Sequence, residues 1–127
     1  MKLIRKDEIR KEHLPGRVIQ KTVGKDAVSE SGKMTMGFAH YSDESGLMEP
    51  HHHAEEIVYI LSAEDGWVRK GPTPEALGDP ILLEPGITLH FPALEWHVFE
   101  FNPGGHVEII FFYGQVDNIR PEEIKDK

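Results

Sequence analysis

The stretch His51-His52-His53-Ala54-Glu55-Glu56-Ile57-Val58-Tyr59-Ile60-Leu61 runs from three consecutive imidazoles straight into a β-branched and aromatic segment. The second half has the composition of a strand. If the chain is already extended over the histidines, alternate side chains share a face. His51 and His53 then point one way and His52 the other, so two imidazoles from one stretch can grip one ion. Strict alternation puts Glu55 on the face of His51 and His53. A turn or bulge near Ala54 delivers Glu56 instead.

Outward from this stretch, short apolar runs alternate with Gly/Pro turns. Arg17–Val23 reads as a strand, followed by a polar loop through Lys33. Met34–Tyr41 reads as another, with Met34, Met36, Phe38 and His40 on one face. Gly66–Lys70 follows Glu56–Leu61 after an acidic turn at Ala63-Glu64-Asp65. Ile81–Leu83, Ile87–Phe91, Trp96–Phe101 and Val107–Tyr113 complete the series, with Asn102-Pro103-Gly104-Gly105 as the link before the last. Residues 2–13 suit a short helix or an edge strand. The polar tail from Gln115 suits one helical turn at Pro121-Glu122-Glu123. Many short strands with almost no helical periodicity imply an antiparallel all-β sandwich or barrel.

The chain's 127 residues fit one domain, 1–127. Its barrel core is expected over 34–113, with an N-terminal arm at 1–33 and a C-terminal tail at 114–127. There is no cysteine, which excludes disulfides, thiolate metal sites and cysteine nucleophiles. The formal net charge of −8 argues against nucleic acid, which asks for a basic face. No apolar run reaches the roughly 20 residues of a membrane span. The charged opening at Met1–Glu8 does not suit a signal peptide, so a cytoplasmic location is expected.

The distant partner for the histidine stretch is His97, which follows Phe91-Pro92-Ala93-Leu94-Glu95-Trp96. Two segments, Gly46 to Leu61 and Gly86 to His97, resemble the paired motifs of the cupin superfamily. The first is usually Gly, five residues, His-x-His, three or four residues, Glu, six residues, Gly. The second is usually Gly, five residues, Pro-x-Gly, two residues, His, three residues, Asn. Here only two residues separate His53 from Glu56. The usual gap could instead run from His52 to Glu56, with Pro50 at the first histidine position. His51 and His53 are preferred because they share a face and the loop can absorb the deletion. Ala63 stands at the closing glycine of the first motif, and Leu94 and Phe101 stand at the glycine and asparagine of the second.

The resemblance implies an antiparallel jelly-roll barrel, the double-stranded β-helix of the cupins. Its mouth would hold one divalent metal on His51, His53, Glu56 and His97, with Glu55 as the rival carboxylate. A thiolate-free nitrogen and oxygen donor set suits iron, manganese, nickel, cobalt or zinc. It further implies a metal-dependent isomerase, lyase or dioxygenase acting on a small oxygenated metabolite, or a non-catalytic small-molecule sensor using the same pocket. Phe99 and Phe101 alternate with His97 and would line the pocket. His90 is expected to be structural, His40 to line the pocket or pack in the core, and His13 and His106 to lie on the surface. Trp67 and Tyr113 are expected to pack, a stacking role being the lesser alternative, and Arg17 and Arg69 are expected to be surface arginines, the alternative being bidentate hydrogen bonds to a ligand carboxylate or phosphate. Apolar outer positions among 57–61 and 107–113 suggest a homodimer.

Overall fold

Eight strands follow one another in the computed structural model, which describes residues 1–117 and 119. They are β1 (Glu12–Leu14), β2 (Arg17–Gly24), β3 (Ser29–Glu30), β4 (Thr35–Ser42), β5 (Glu56–Gly71), β6 (Ile81–Leu82), β7 (Thr88–Phe91) and β8 (Trp96–Tyr113). A 3-10 turn at Lys6–Glu8 precedes them, so residues 2–13 hold both a helical turn and an edge strand. The hydrogen-bonded order is β1-β2-β4-β8-β5-β6, with β7 beside β5 and the short β3 parallel to β2. Every pairing except that of β3 is antiparallel. No helix among the described residues is long and apolar enough to cross a membrane. The expected helical turn at Pro121–Glu123 lies outside the described residues.

β5 and β8 each merge two segments that the sequence reads as separate strands. The acidic stretch Ala63-Glu64-Asp65 is a bend within β5, not a turn between strands, and Asp65 takes φ 49° there. Opposite it, β8 bulges. Between the pairs Glu64↔His106 and Gly66↔Phe101, β5 advances two residues while β8 advances five, through Asn102-Pro103-Gly104-Gly105. Gly104 has φ 84°, and its N–H donates to Asp43 Oδ2 at 2.7 Å. The bulge lets two long strands fold over sharply without losing their pairing. Glu56–Glu64 thus pairs with His106–Tyr113, and Gly66–Gly71 pairs with Trp96–Phe101.

The core lies in the fold so formed. Val58, Ile60, Val68, Phe99, Val107 and Ile109 are almost completely buried. Each such side chain removed from water stabilises by roughly 1.5–3 kcal/mol. On β4 the buried face is Gly37, Ala39 and Tyr41. Met36, Phe38 and His40 do share a face, but it is the outer one. There the Lys6 ammonium sits 5.3 Å from the Phe38 ring centroid. On β2 the buried, outward-turned residues Val18, Gln20 and Thr22 are covered from outside, Gln20 Nε2 donating to the carbonyls of Lys6 (2.7 Å) and Ile9 (3.0 Å). The alternate β2 residues face a cavity of about 820 Å³ that opens onto the histidines.

Candidate metal centre

Three segments carry the site. His51 lies before β5 in extended backbone and forms an isolated antiparallel bridge with His97 of β8. His51 N–H donates to the His97 carbonyl at 3.0 Å, and His97 N–H donates back at 2.9 Å. His53 follows two residues on, its carbonyl accepting from Leu94 N–H at 2.7 Å. Leu94 holds φ 65° in this turn, a left-handed conformation that favours glycine, the residue the cupin motif has here.

The three rings converge. Ring centroids are 4.3 Å apart for His51 and His53, 4.6 Å for His51 and His97, and 5.3 Å for His53 and His97. One ring nitrogen of each lies within 4.8 Å of the others. Donors sharing an ion at about 2.0–2.2 Å stand about 3–4 Å apart, so this spacing fits a metal after a small closure.

The hydrogen bonds decide which nitrogen faces inward. His51 Nδ1 is 3.1 Å from the Glu49 carbonyl, His97 Nδ1 is 3.0 Å from the Glu95 carbonyl, and His53 Nδ1 is 3.3 Å from Glu56 Oε1. Carbonyl and carboxylate oxygens only accept, so each Nδ1 carries the hydrogen and each Nε2 carries the lone pair. The Nε2 atoms of His53 and His97 are buried without a hydrogen-bond partner. Such orphaned acceptors cost free energy unless something electron-poor meets them. Burial pushes the His97 imidazolium down to about 4, against the pull of Glu56 and with a further push from His53. The ring is therefore neutral near pH 7, the form a metal needs.

Glu56 is buried at the start of β5, and its Oε1 is 3.6 Å from His97 Nε2. It stands beside the set of three mutually close donors, outside it. Glu55, the rival carboxylate, is exposed and pairs with His90 Nε2 at 2.6 Å. His52 turns away and stacks on Trp96 with centroids 4.1 Å apart. His90 is exposed on β7 and has no place in the core. His40 and His106 stack outside the barrel, His40 Nδ1 donating to Glu108 Oε1 at 2.7 Å, with His106 Nε2 2.9 Å from Ser62 Oγ.

Phe99 and Phe101 are core residues. The ring that stacks on His97 is Phe91, 4.0 Å away between centroids. Tyr113, expected chiefly to pack, places its hydroxyl 3.3 Å from His53 Nδ1 and lines the cavity. Arg17, expected on the surface, also lines the cavity. Arg69 lies beside Glu100 at 3.5 Å, and Trp67 Nε1 donates to Glu100 at 2.8 Å, away from the site. Phe91 and Tyr113 follow from β5 pairing with both β7 and β8, Glu56 standing opposite each of them. Strand composition alone does not reveal that register.

No protein-family model matches the sequence, and no curated protein matches it. Solved structures do resemble it. The polyketide cyclase RemF from Streptomyces resistomycificus superposes with a TM-score of 0.69 at 20% identity, over 88% of this chain and 78% of that one. A protein from Planctomyces limnophilus gives 0.69 at 18% identity, over 92% and 91%. Hydroxypropylphosphonic acid epoxidase from S. wedmorenis gives 0.63 at 15% identity, over 88% of this chain; the match spans 58% of the epoxidase. RemF and the epoxidase are cupin-fold proteins. The antiparallel sheet folded on itself around the histidines therefore gives this chain the all-β jelly-roll fold of the cupins.

Proposed function

We propose that the chain binds one divalent metal on His51, His53 and His97, with Glu56 as the fourth member of the site, and acts as a metal-dependent enzyme on a small oxygenated metabolite. What carries the reading is that one ring nitrogen of each imidazole lies within 4.8 Å of the other two, while each Nδ1 has an oxygen beside it and the Nε2 atoms of His53 and His97 are buried without a hydrogen-bond partner. The donors suit iron(II), manganese, nickel, cobalt or zinc. The Fe(II) form of the epoxidase HppE is a structural likeness that favours iron among them.

A divalent ion held there supplies Lewis acidity and a template for an oxygen-bearing ligand. The chain's own groups do the rest. Glu56 is the only buried carboxylate among the described residues. It orients His53 and is placed to take a proton from a ligand in the cavity. The Tyr113 hydroxyl stands beside it, and Phe91 shields His97 from water. The reaction is of isomerase, lyase or dioxygenase type, in a cytoplasmic homodimer.

Elemental analysis of the purified protein tests this reading. About one metal per chain is expected, falling to none in His53→Ala/His97→Ala. Retention of stoichiometric metal by that variant, or no metal in the parent protein, refutes the centre. Oxygen uptake by the iron form with keto acids and catechols separates dioxygenase from non-redox chemistry.

A further inference from the structure

The charges that line the cavity beside the histidines answer one another. Arg17, Lys21 and Lys25 line it together with Asp26, Glu56 and Asp117. Lys25 Nζ is 3.0 Å from Asp117 Oδ1, and Lys21 Nζ is 3.9 Å from Glu12 Oε2. Arg17 Nη1 donates to the Pro15 carbonyl at 3.2 Å. Lys21, Lys25, Asp26 and Asp117 are all exposed, so they form a rim. With both signs facing each other, that rim selects neither an anionic nor a cationic ligand group.

Below the rim the walls change character. Among the described residues, the buried part of the lining is Ala39, Tyr41, Phe111 and Tyr113, with His53 and Glu56 at the histidine cluster. Half-buried Ile19 and Val23 of β2 extend the apolar surface outward. Strand alternation builds this wall. β2 buries Val18, Gln20 and Thr22 on its other side, and a slip of one residue would exchange the two faces.

Two small residues on β4 keep the space open. Ala39 lies in register between Ile19 of β2 and Ile109 of β8, so the row drops from isoleucine to a single methyl group and rises again. Gly37 pairs with Phe111, and a Cβ there would meet Phe111 Cζ at 2.6 Å. The ring therefore leans over the glycine, which no other residue would allow. The result is a hollow walled on the β8 side by Phe111 and Tyr113, whose ring centroids are 5.6 Å apart, and ending at the histidines.

We infer that the substrate is an uncharged ring compound, with its oxygen-bearing edge at the histidine cluster and its apolar ring in the hollow over Ale39's methyl group, against Ile19 and Phe111. The inference rests on the proposed metal site for the oxygen-bearing edge and on the described lining alone for the ring. A flat apolar body gains from offset or edge-on contact with an aromatic wall. A charged body would lose its hydration there, since the buried lining holds no lysine or arginine among the described residues.

Calorimetry on the full-length, metal-loaded protein tests the inference with hydroxamates, which put one metal-binding head on different bodies. Acetohydroxamate carries a methyl group, benzohydroxamate a ring, and 4-carboxybenzohydroxamate a ring with a charge. Benzohydroxamate should bind at least about tenfold tighter than acetohydroxamate, the gain expected from burying a ring's apolar surface. The added carboxylate should weaken binding. Ala39→Leu fills the hollow and should bring the ring-to-methyl affinity ratio towards unity, with metal stoichiometry reporting an intact fold. Ile19→Gln, at a half-buried position, should lower the same ratio if Ala39→Leu does not fold. Equal binding of ring and methyl probes, a carboxylate that binds as tightly as the plain ring or more so, or a ring preference that survives in the variants overturns the inference. Should the parent protein hold no metal, the metal reading alone fails. 2-Naphthol, which has no chelating head, then decides the ring site separately. It should bind the metal-free parent and lose affinity in the variants, and absence of binding to the parent overturns the inference.

Discussion

Each clustered histidine is fixed by its Nδ1 side, and for His53 the acceptor is a side chain, not a backbone carbonyl. Glu56 is therefore a replaceable anchor, beside the Tyr113 hydroxyl that stands equally near the same nitrogen. Glu56→Gln keeps the shape but removes the charge that holds the His53 tautomer. Metal affinity should fall about 10- to 100-fold, the range typical for partners of metal-binding histidines, with the thermal transition of the metal-free protein little changed. Competition against a chromophoric chelator measures this, and unchanged affinity would show that Glu56 neither orients nor ligates. A second carboxylate, Glu108, lies outside the barrel. Burial pushes it up, but hydrogen bonds from His40 and Lys6 and their charges outweigh that and hold it below the ordinary value of 4.5. The facing groups are His40 on β4, with His106 stacked behind it, and Lys6 from the N-terminal segment; Lys11 and Glu44 line the same small cleft. A carboxylate depressed in the folded state stabilises above its unfolded value, and that stability is lost as pH falls through the folded value. Glu108→Gln should thus be less stable than the parent by under about 1 kcal/mol at pH 7. The difference should vanish in denaturant titrations well below pH 4.5.

At the scale of strands, composition and turn residues make most elements legible. β2, β4 and β7 fall where apolar alternation puts them, and His51 and His53 share a face because the chain is extended there. What the local pattern does not carry is register. Asp65 and the Asn102–Gly105 stretch have turn chemistry, yet they form a bend and a bulge in continuous strands because β5 and β8 stay paired on either side. The same non-local pairing brings Phe91 and Tyr113 to the histidines, contacts that no window along the chain contains. Glu56 prevails over Glu55 because the chain leaves strand geometry at Ala54, where its N–H donates to the Ile119 carbonyl at 2.6 Å. The bulge has a structural requirement of its own. A Cβ on Gly105 would stand 2.5 Å from the Glu64 carbonyl oxygen and 3.0 Å from that of Asp65. Backbone carbonyls in a paired strand cannot give way cheaply. Gly105→Ala should therefore cost about 1–3 kcal/mol, as overpacking does, while the same change at Gly46, where a Cβ meets nothing within 4 Å, costs only its positive-φ strain. Equal midpoints for the two variants in urea would show that the bulge is not tightly packed.

For the whole molecule, the face of the sheet turned away from the core carries an apolar field. The register aligns Met36, Phe112, Ile57 and His90 across β4, β8, β5 and β7, and aligns Phe38, Ile110, Tyr59 and Thr88 in the next row. Phe112, Ile57 and Tyr59 are 39%, 46% and 40% exposed, too open for core residues and too apolar for a bare surface. Charged pairs among the described residues sit at the rims of the field, Glu55 with His90 on one side and Glu108 with His40 and Lys6 on the other. A sheet face of this kind can be covered by its own copy in a two-fold arrangement, the two sheets stacking about 10 Å apart. The cavity mouth and the clustered histidines lie on the opposite side of the sheet, so such a pairing leaves them open. The protein should run at twice its 14.4 kDa chain mass in light scattering at micromolar concentration. Ile57→Glu/Phe112→Glu should convert it to monomer, since two buried unpaired carboxylates in each copy outweigh the apolar gain. Metal content should be unaffected, because neither residue touches the histidines. A parent protein that is already monomeric at that concentration excludes self-pairing across this face.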